Sequence, residues 1–403
     1  MGMPGRWGQP DGASALRVAS ARPGARVGSH RGPPPLGGRV GPWLRLGMLL
    51  AVVVVVAVEG TTGVSVVRAL TASGSAGWQT RLVDWVRDHG GGSVVDRVEA
   101  WWYSGQPPGD GPPVPPALPV THVRSRAGVP LPVPRMVGGS GASGAGVWVP
   151  VGRLDRGRPV LWATWLTPDA AHRSVTAVVA RVDPRRVAAR LVAGTREPDG
   201  SGWPEGAQVP AADRDRVLAA FNAGFRFHDT PGGFAADGRV GLPLAPGLAS
   251  AVIGPDGSVT VRRWDGGPAP GPGVAAVRQN LDLIVENSRP VGSLAANAHG
   301  RWGSASSQLE YTWRSGLGVG ADGTLFYVAG RDLTLASLAG ALVDAGARTG
   351  MELDIHPTTV TFNLFFPDGP AGLRAAKLVP QMARPATRYL SPDQRDFFEL
   401  VLR

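Results

Sequence analysis

Tyr311 to His356 reads YTWRSGLGVGADGTLFYVAGRDLTLASLAGALVDAGARTGMELDIH, and this run decides the fold class. The stretches around TWRSGLGV and TLFYVA are apolar and are separated by Asp322-Gly323, a dipeptide that turns one strand back on another. TLASLAGALVDA, from Thr334 to Ala345, then carries helical spacing, with Thr334 placed to cap it and Gly346 to stop it. MELDIH, 351–356, follows as a further strand closed by Pro357. Working outward, PVLWATWL (159–166), SVTAVVARV (174–182), LASAVI (248–253) and LDLIV (281–285) also read as strands bounded by Gly, Pro and Asp. Ala211–Ala220 reads as a second helix. Strands outnumber helices, so the expected class is α+β, a single mixed, strand-rich domain over 147–403, rather than a doubly wound sheet.

As a strand, MELDIH sets Glu352, Asp354 and His356 on one face and Met351, Leu353 and Ile355 on the other. Successive groups on a face stand about 6.6 Å apart, a separation that suits a carboxylate pair for glycosidic cleavage. The plainer reading is a solvated polar face. Asp354 and His356 could also share a divalent cation, but donor type alone does not establish a metal site.

Three other stretches hold polar groups where a ligand could approach. In FNAGF, 221–225, small residues beside Asn222 let backbone N–H groups come close to a bound molecule. Arg314, at the mouth of the hairpin, has the fork geometry that grips a phosphate. Arg278-Gln279-Asn280 opens an apolar strand with three polar side chains.

In this order, the FNAGF loop, the R-S-G-L-G-V-x-x-D-G hairpin, the L-T-L-A-S-L-A helix and a strand ending in Leu353-Asp354 resemble the phosphodiester glycosidase family. The resemblance covers roughly residues 147–366, and extends to the membrane-anchored actinobacterial members. It implies a hydrolase that frees a sugar from a sugar-1-phosphodiester, with carbohydrate or a sugar-phosphate polymer of the cell envelope as its partner. Asn222 falls at the asparagine of the family's N-G-G-F-F loop, Arg314 at the arginine before its glycine-containing strand, and Asp354 at the aspartate of its L-D-G-G-G-S turn. On that basis Asp354, Glu352 and His356 form the expected catalytic group. Arg314 and Asn222, with Arg278 and Asn280, would hold the substrate and its phosphate. Ile355, His356 and Pro357 replace the three glycines, and Ala223 replaces the first glycine after Asn222. These departures feed the alternative of an inactive domain that binds wall glycan or phosphate. No cofactor is required by the pattern, and a divalent cation is left open.

Seven arginines and one aspartate (Asp11) lie in residues 1–45, a net charge of +6 (7 − 1) out of +10 for the 403 residues. The remaining 358 residues (403 − 45) carry only +4, so the basic balance belongs to a tail and argues against nucleic acid. One lysine, Lys377, stands against forty arginines (41 − 1), which fits a coding bias better than a ligand. Cysteine is absent, which excludes thiol chemistry and disulfides. Leu46–Val58 is uncharged, and with the stretch to Val67 it gives a helix of about 33 Å, long enough to cross a bilayer. Glu59 is its one charge. Arginines before it set the N-terminus inside the cell and the domain outside. The alternative is a cleaved signal peptide, disfavoured by the long basic region and the lack of an A-x-A site after Val58. The expected order is a tail (1–45), a transmembrane helix (46–67), a helical stalk (68–105), a Pro/Gly-rich spacer (106–146) and the domain.

Overall fold

The structure is a computed structural model that describes residues 62–71, 77–91, 94–95, 108–123, 131–134, 142–198, 202–297, 300–303, 308–369 and 372–403. Residues 46–61 of the expected membrane span lie outside them. Among the described residues no helix is long and apolar enough to cross a membrane. Two short helices, α1 (Thr62–Thr71) and α2 (Trp78–Val86), fall within the expected span's end and the stalk. They are tied together by Trp85 Nε1 donating to Ser65 Oγ at 2.9 Å and by Arg81 donating to the Leu70 carbonyl at 2.7 Å.

The domain opens with β1 (Val149–Pro150), β2 (Leu161–Leu166) and β3 (Ala177–Val182), then β4 (Val187–Val192) and β5 (Val217–Asn222). Next come β6 (Phe234–Ala236), β7 (Arg239–Leu242), β8 (Ala249–Ile253), β9 (Val259–Arg263) and β10 (Ala276–Gln279). β11 (Leu283–Glu286), β12 (Arg289–Pro290), β13 (Thr312–Val319) and β14 (Leu325–Leu333) lead to α3 (Leu335–Ala345). β15 (Thr349–Glu352), β16 (Phe362–Asp368), β17 (Gly372–Lys377) and β18 (Phe397–Leu402) complete it. They form three antiparallel sheets, ordered β1-β2-β3-β14-β13-β15-β11-β12, β7-β6-β10-β8-β9 and β17-β16-β5-β18-β4.

One core joins all three sheets. Along β14, Leu325, Tyr327 and Ala329 point into it, while Phe326 and Val328 point to the other face, under α3. β3 alternates in the same sense, with Val178, Ala180 and Val182 inward. This period of two is what the apolar runs encode. α3 covers the outer face of the eight-stranded sheet with Leu335, Leu338 and Leu342, all fully buried, each contributing about 2 kcal/mol. The glycines of RSGLGV let the helix come this close: a Cβ on Gly318 would lie 2.7 Å from that of Ala347. The helix is capped as its sequence implies. Thr334 accepts from the Ser337 N–H, Ser337 accepts from the Thr334 N–H, and Gly346 stops it in the left-handed region.

Two expectations are corrected. Ala211–Ala220 is not a helix: 211–213 form one 3-10 turn, and β5 begins at Val217. Ala219 and Ala220 are wholly buried between β16 and β18, so burial of small side chains in a sheet centre overrides alanine's helix preference. The strand expected over 351–356 ends at Glu352. Parts of the proline-rich spacer touch the domain. Val120 bridges Val151, Thr121 N donates to the Pro150 carbonyl at 2.8 Å, Leu118 packs on the core, and Trp148 Nε1 donates to the Pro132 carbonyl at 2.8 Å.

Candidate active site

The motifs do converge, at the end of the eight-stranded sheet where β13 begins and β15 ends. Asn280 ties two of them. Its amide nitrogen donates to the Glu352 and Leu353 carbonyls at 2.6 and 2.9 Å, and its oxygen accepts from the Phe225 N–H at 3.3 Å. Arg278 donates to Asp396 Oδ2 at 2.6 Å and to the carbonyls of Phe225 and Gln279. Its guanidinium also lies over the Phe227 ring, 3.9 Å from the centroid. Gly224 is glycine for a local reason: a Cβ there would stand 3.0 Å from that guanidinium. Arg278 and Asn280 are fully buried and committed to protein partners, so they shape the loop from beneath.

Asn222 is equally committed. It donates to Ser315 Oγ at 3.0 Å and accepts from Tyr327 Oη and the Thr361 N–H, each at 3.1 Å. Ser315 in turn donates to the Asp354 carbonyl at 3.1 Å and accepts from the Asp354 N–H at 3.3 Å. The chain Asn222–Ser315–Asp354 thus fixes the backbone carrying the candidate carboxylate.

Glu352 and Arg314 depart most from the sequence expectation. Arg314 Nη1 meets Glu352 Oε1 at 2.6 Å, and both side chains are 1% exposed. Arg314 also donates to Gln308 Oε1 at 3.1 Å and to the Leu333 carbonyl at 2.9 Å. Glu352 pairs across β13 with Gly316, on the face that α3 covers. Burial raises its pKa against the opposing pull of Arg314. A guanidinium spent on three protein acceptors under a helix is not placed to take a phosphate, nor is its carboxylate placed to reach a sugar.

Asp354 lies just beyond the strand end. Its Oδ1 accepts from the His356 N–H at 2.9 Å, and its Oδ2 faces Arg395 Nη2 at 3.4 Å. The His356 ring, partly exposed, has Nδ1 3.1 Å from Thr358 Oγ1. Arg395 also donates to the Gly224 carbonyl at 2.8 Å and forms an ion pair with Glu197 Oε2 at 3.1 Å. Asp354, Arg395 and Glu197 therefore stand in line, carboxylate–guanidinium–carboxylate, beside the FNAGF loop, with Arg395 13% and Glu197 19% exposed. Burial is the main cause raising the Glu197 pKa; Arg395 opposes it and the Asp396 charge adds to it. Sequence reasoning missed Glu197 and Arg395. The only signal was the charged cluster Asp393-Gln394-Arg395-Asp396 ahead of an apolar strand. Among the described residues no three His, Asp or Glu side chains gather to hold a metal ion. An apolar crevice lined by Val182, Val187, Ala189, Val259, Leu325 and Leu400 lies at the opposite end of the strands and holds none of these groups.

No family model and no curated protein matches the sequence. Among solved structures, the chain is similar to the zebrafish N-acetylglucosamine-1-phosphodiester α-N-acetylglucosaminidase catalytic domain auto-inhibited by its pro-peptide. The two share 15% identity over 62% of this chain and 86% of that one, with a TM-score of 0.41. It is also similar to a hypothetical protein from Synechocystis, at 14% identity over 57% of this chain and 59% of that one, TM-score 0.32. A putative exported protein from Burkholderia pseudomallei shows 12% identity over 57% and 74%, TM-score 0.33. Likenesses this distant say nothing of what this chain acts on, so its chemistry is read from its own side chains.

Proposed function

We propose that the domain is a hydrolase that cleaves a sugar from a glycosyl phosphodiester. The observation that carries this reading is the line Asp354–Arg395–Glu197 at a partly open edge of the fold. In it Arg395 neutralises the substrate's phosphate, the role expected of Arg314. Asp354 takes the proton from a water that attacks the anomeric carbon. The bond from that carbon to the phosphate oxygen breaks, and the phosphate monoester leaves. Glu197, whose pKa is raised, keeps its proton to higher pH than an ordinary carboxyl and supplies it to the departing oxygen. His356 holds Asp354 through its backbone N–H. The basic tail and the uncharged run Leu46–Val58 support an extracytoplasmic location, where envelope polymers carry such linkages.

The test is release of sugar from a panel of glycosyl phosphodiesters by wild type, Asp354→Asn and Glu197→Gln. Loss of about 100-fold or more in kcat for each variant, with folding retained, supports the assignment. Wild-type activity should fall as pH rises through the Glu197 pKa, since the acid is then deprotonated. A second reading has one observation behind it: Asp354 Oδ1 is already occupied by the His356 N–H, where the family has a glycine turn. Binding of glycan or phosphate without turnover across the panel would establish that reading and sink the enzyme.

A further inference from the structure

A second cluster of titratable side chains lies outside the line just described. Asp169 and His172 sit in the loop between β2 and β3, and Tyr311 directly precedes β13. Tyr311 Oη is 2.9 Å from Asp169 Oδ2 and 2.8 Å from His172 Nδ1, and the third edge, Asp169 Oδ2 to His172 Nδ1, is 3.3 Å. The three donor atoms thus form a closed triangle. The other carboxylate oxygen, Oδ1, is turned away to accept the backbone N–H groups of Ala171 and His172 at 2.9 and 3.1 Å. That leaves Oδ2 alone on the triangle, in a fixed direction. The side chains are partly open to solvent, His172 at 26% and Asp169 at 13%. The His172 and Tyr311 rings meet edge to face at 5.1 Å, which fixes both.

Two protons, one on the phenol and one on Nδ1, serve three close contacts here, so the Nδ1 proton is shared between Asp169 Oδ2 and Tyr311 Oη. A cation seated above the plane of the triangle would serve all three atoms at once. Bonds of about 2.0–2.2 Å to nitrogen and oxygen place neighbouring ligands roughly 2.8–3.1 Å apart in octahedral and 3.3–3.6 Å apart in tetrahedral geometry. The observed edges, 2.8, 2.9 and 3.3 Å, match such separations.

We infer that Asp169, His172 and Tyr311 form a three-ligand site for a divalent first-row transition metal ion of zinc's size, with water completing its coordination. Imidazole together with oxygen donors and no thiolate selects that class over Ca²⁺ or Mg²⁺. On binding, the imidazole proton moves from Nδ1 to Nε2 and the phenol proton is released, so the phenol becomes a phenolate and one proton leaves per metal ion bound. Because binding releases a proton, affinity should climb with pH. The site is independent of Asp354, and its failure would leave the hydrolase reading untouched.

The experiment is a Zn²⁺ titration of the metal-free full chain at pH 8, reading heat, proton release and tyrosinate difference absorbance together. One equivalent bound with a tyrosinate signal is expected. Tyr311→Phe preserves the ring and the fold, and should abolish the tyrosinate signal and weaken binding at least tenfold. His172→Ala should do the same to affinity. Zn²⁺ binding that both variants leave unchanged would mark adventitious coordination by other histidines and overturn the site. So would the absence of binding by wild type at millimolar Zn²⁺.

Discussion

Glu352 and Asp354 are two residues apart, yet the fold gives them different work. Glu352 is the last residue of β15 and still obeys the sheet's alternation, so it shares Gly316's side and is sealed under α3 with Arg314. Asp354 comes after the strand has ended, its backbone held by Ser315 and its carboxylate held between the His356 N–H and Arg395. The first pair is closed by two further contacts of its arginine, to Gln308 and to the Leu333 carbonyl. The second shares its guanidinium with Glu197 and with solvent. A buried pair is a poor place for chemistry, because its charges are spent on each other and its desolvation must be offset by that same attraction. A shared guanidinium at an edge can exchange one partner for a substrate anion.

The largest effect should therefore come from the pair that does no chemistry. Glu352→Ala leaves the Arg314 charge buried and uncompensated, and should cost about 3–5 kcal/mol in denaturant unfolding. Arg314→Met combined with Glu352→Leu should recover most of that loss, since an apolar pair of similar volume carries no desolvation penalty. Asp354→Asn should cost less than Glu352→Ala, because Arg395 keeps its ion pair with Glu197 and its bond to the Gly224 carbonyl. If Glu352→Ala kept its stability and lost only turnover, the contrast between the two carboxylates would be reversed.

Gly224→Ala comes next and sharpens the comparison at the loop. The added methyl would press on a guanidinium that Asp396 and the Phe225 carbonyl prevent from yielding. An overpacking cost of about 1–3 kcal/mol in unfolding is expected. Sugar release should fall too, since the Gly224 carbonyl orients Arg395. An unperturbed variant would mean that Arg278 is not held as tightly as its three partners imply.

The hairpin, α3 with its caps, and most strands were legible because they follow local rules: a period of two, a Thr cap, a Gly stop and a DG turn. β5 was not, because AADRDRVLAA satisfies helix propensity and only its position between two strands shows otherwise. The motif residues were found, but not their commitments. Asn222, Arg278 and Asn280 look equally available in a sequence, and only the count of their hydrogen bonds shows that they are structural. Glu197 and Arg395 were invisible because nothing local links two residues so far apart in the chain. Asp169, His172 and Tyr311 share that difficulty, since their meeting depends on β2, β3 and β13 belonging to one sheet.

Glu399 offers a third environment for a carboxylate, buried like Glu352 but without an arginine in hydrogen-bond contact. It lies in a row across the five-stranded sheet, Asn363–Ala220–Glu399–Arg190, set by the register of β16, β5, β18 and β4. Glu399 and Asn363 are fully buried, and no described group hydrogen-bonds to the side-chain polar atoms of either. Burial, with the nearby Asp213 charge, pushes the Glu399 pKa up to about 8, against Arg190 and Arg216. A carboxyl with a raised native pKa adds stability that is complete below its unfolded pKa and is lost as pH rises through the native one. Here that window runs from the ordinary carboxylate range to about pH 8. Glu399→Gln holds the position neutral at every pH. It should match wild type near pH 4 and exceed it by about 1–3 kcal/mol at pH 9, read as the urea midpoint at each pH. Some pH dependence should survive, because Glu205, pushed to about 7 by burial and its bond to Asp237, titrates over the same interval. Identical midpoint–pH curves for the two proteins would mean that Glu399 is ionised in the native state, and that a buried carboxylate here needs no adjacent guanidinium.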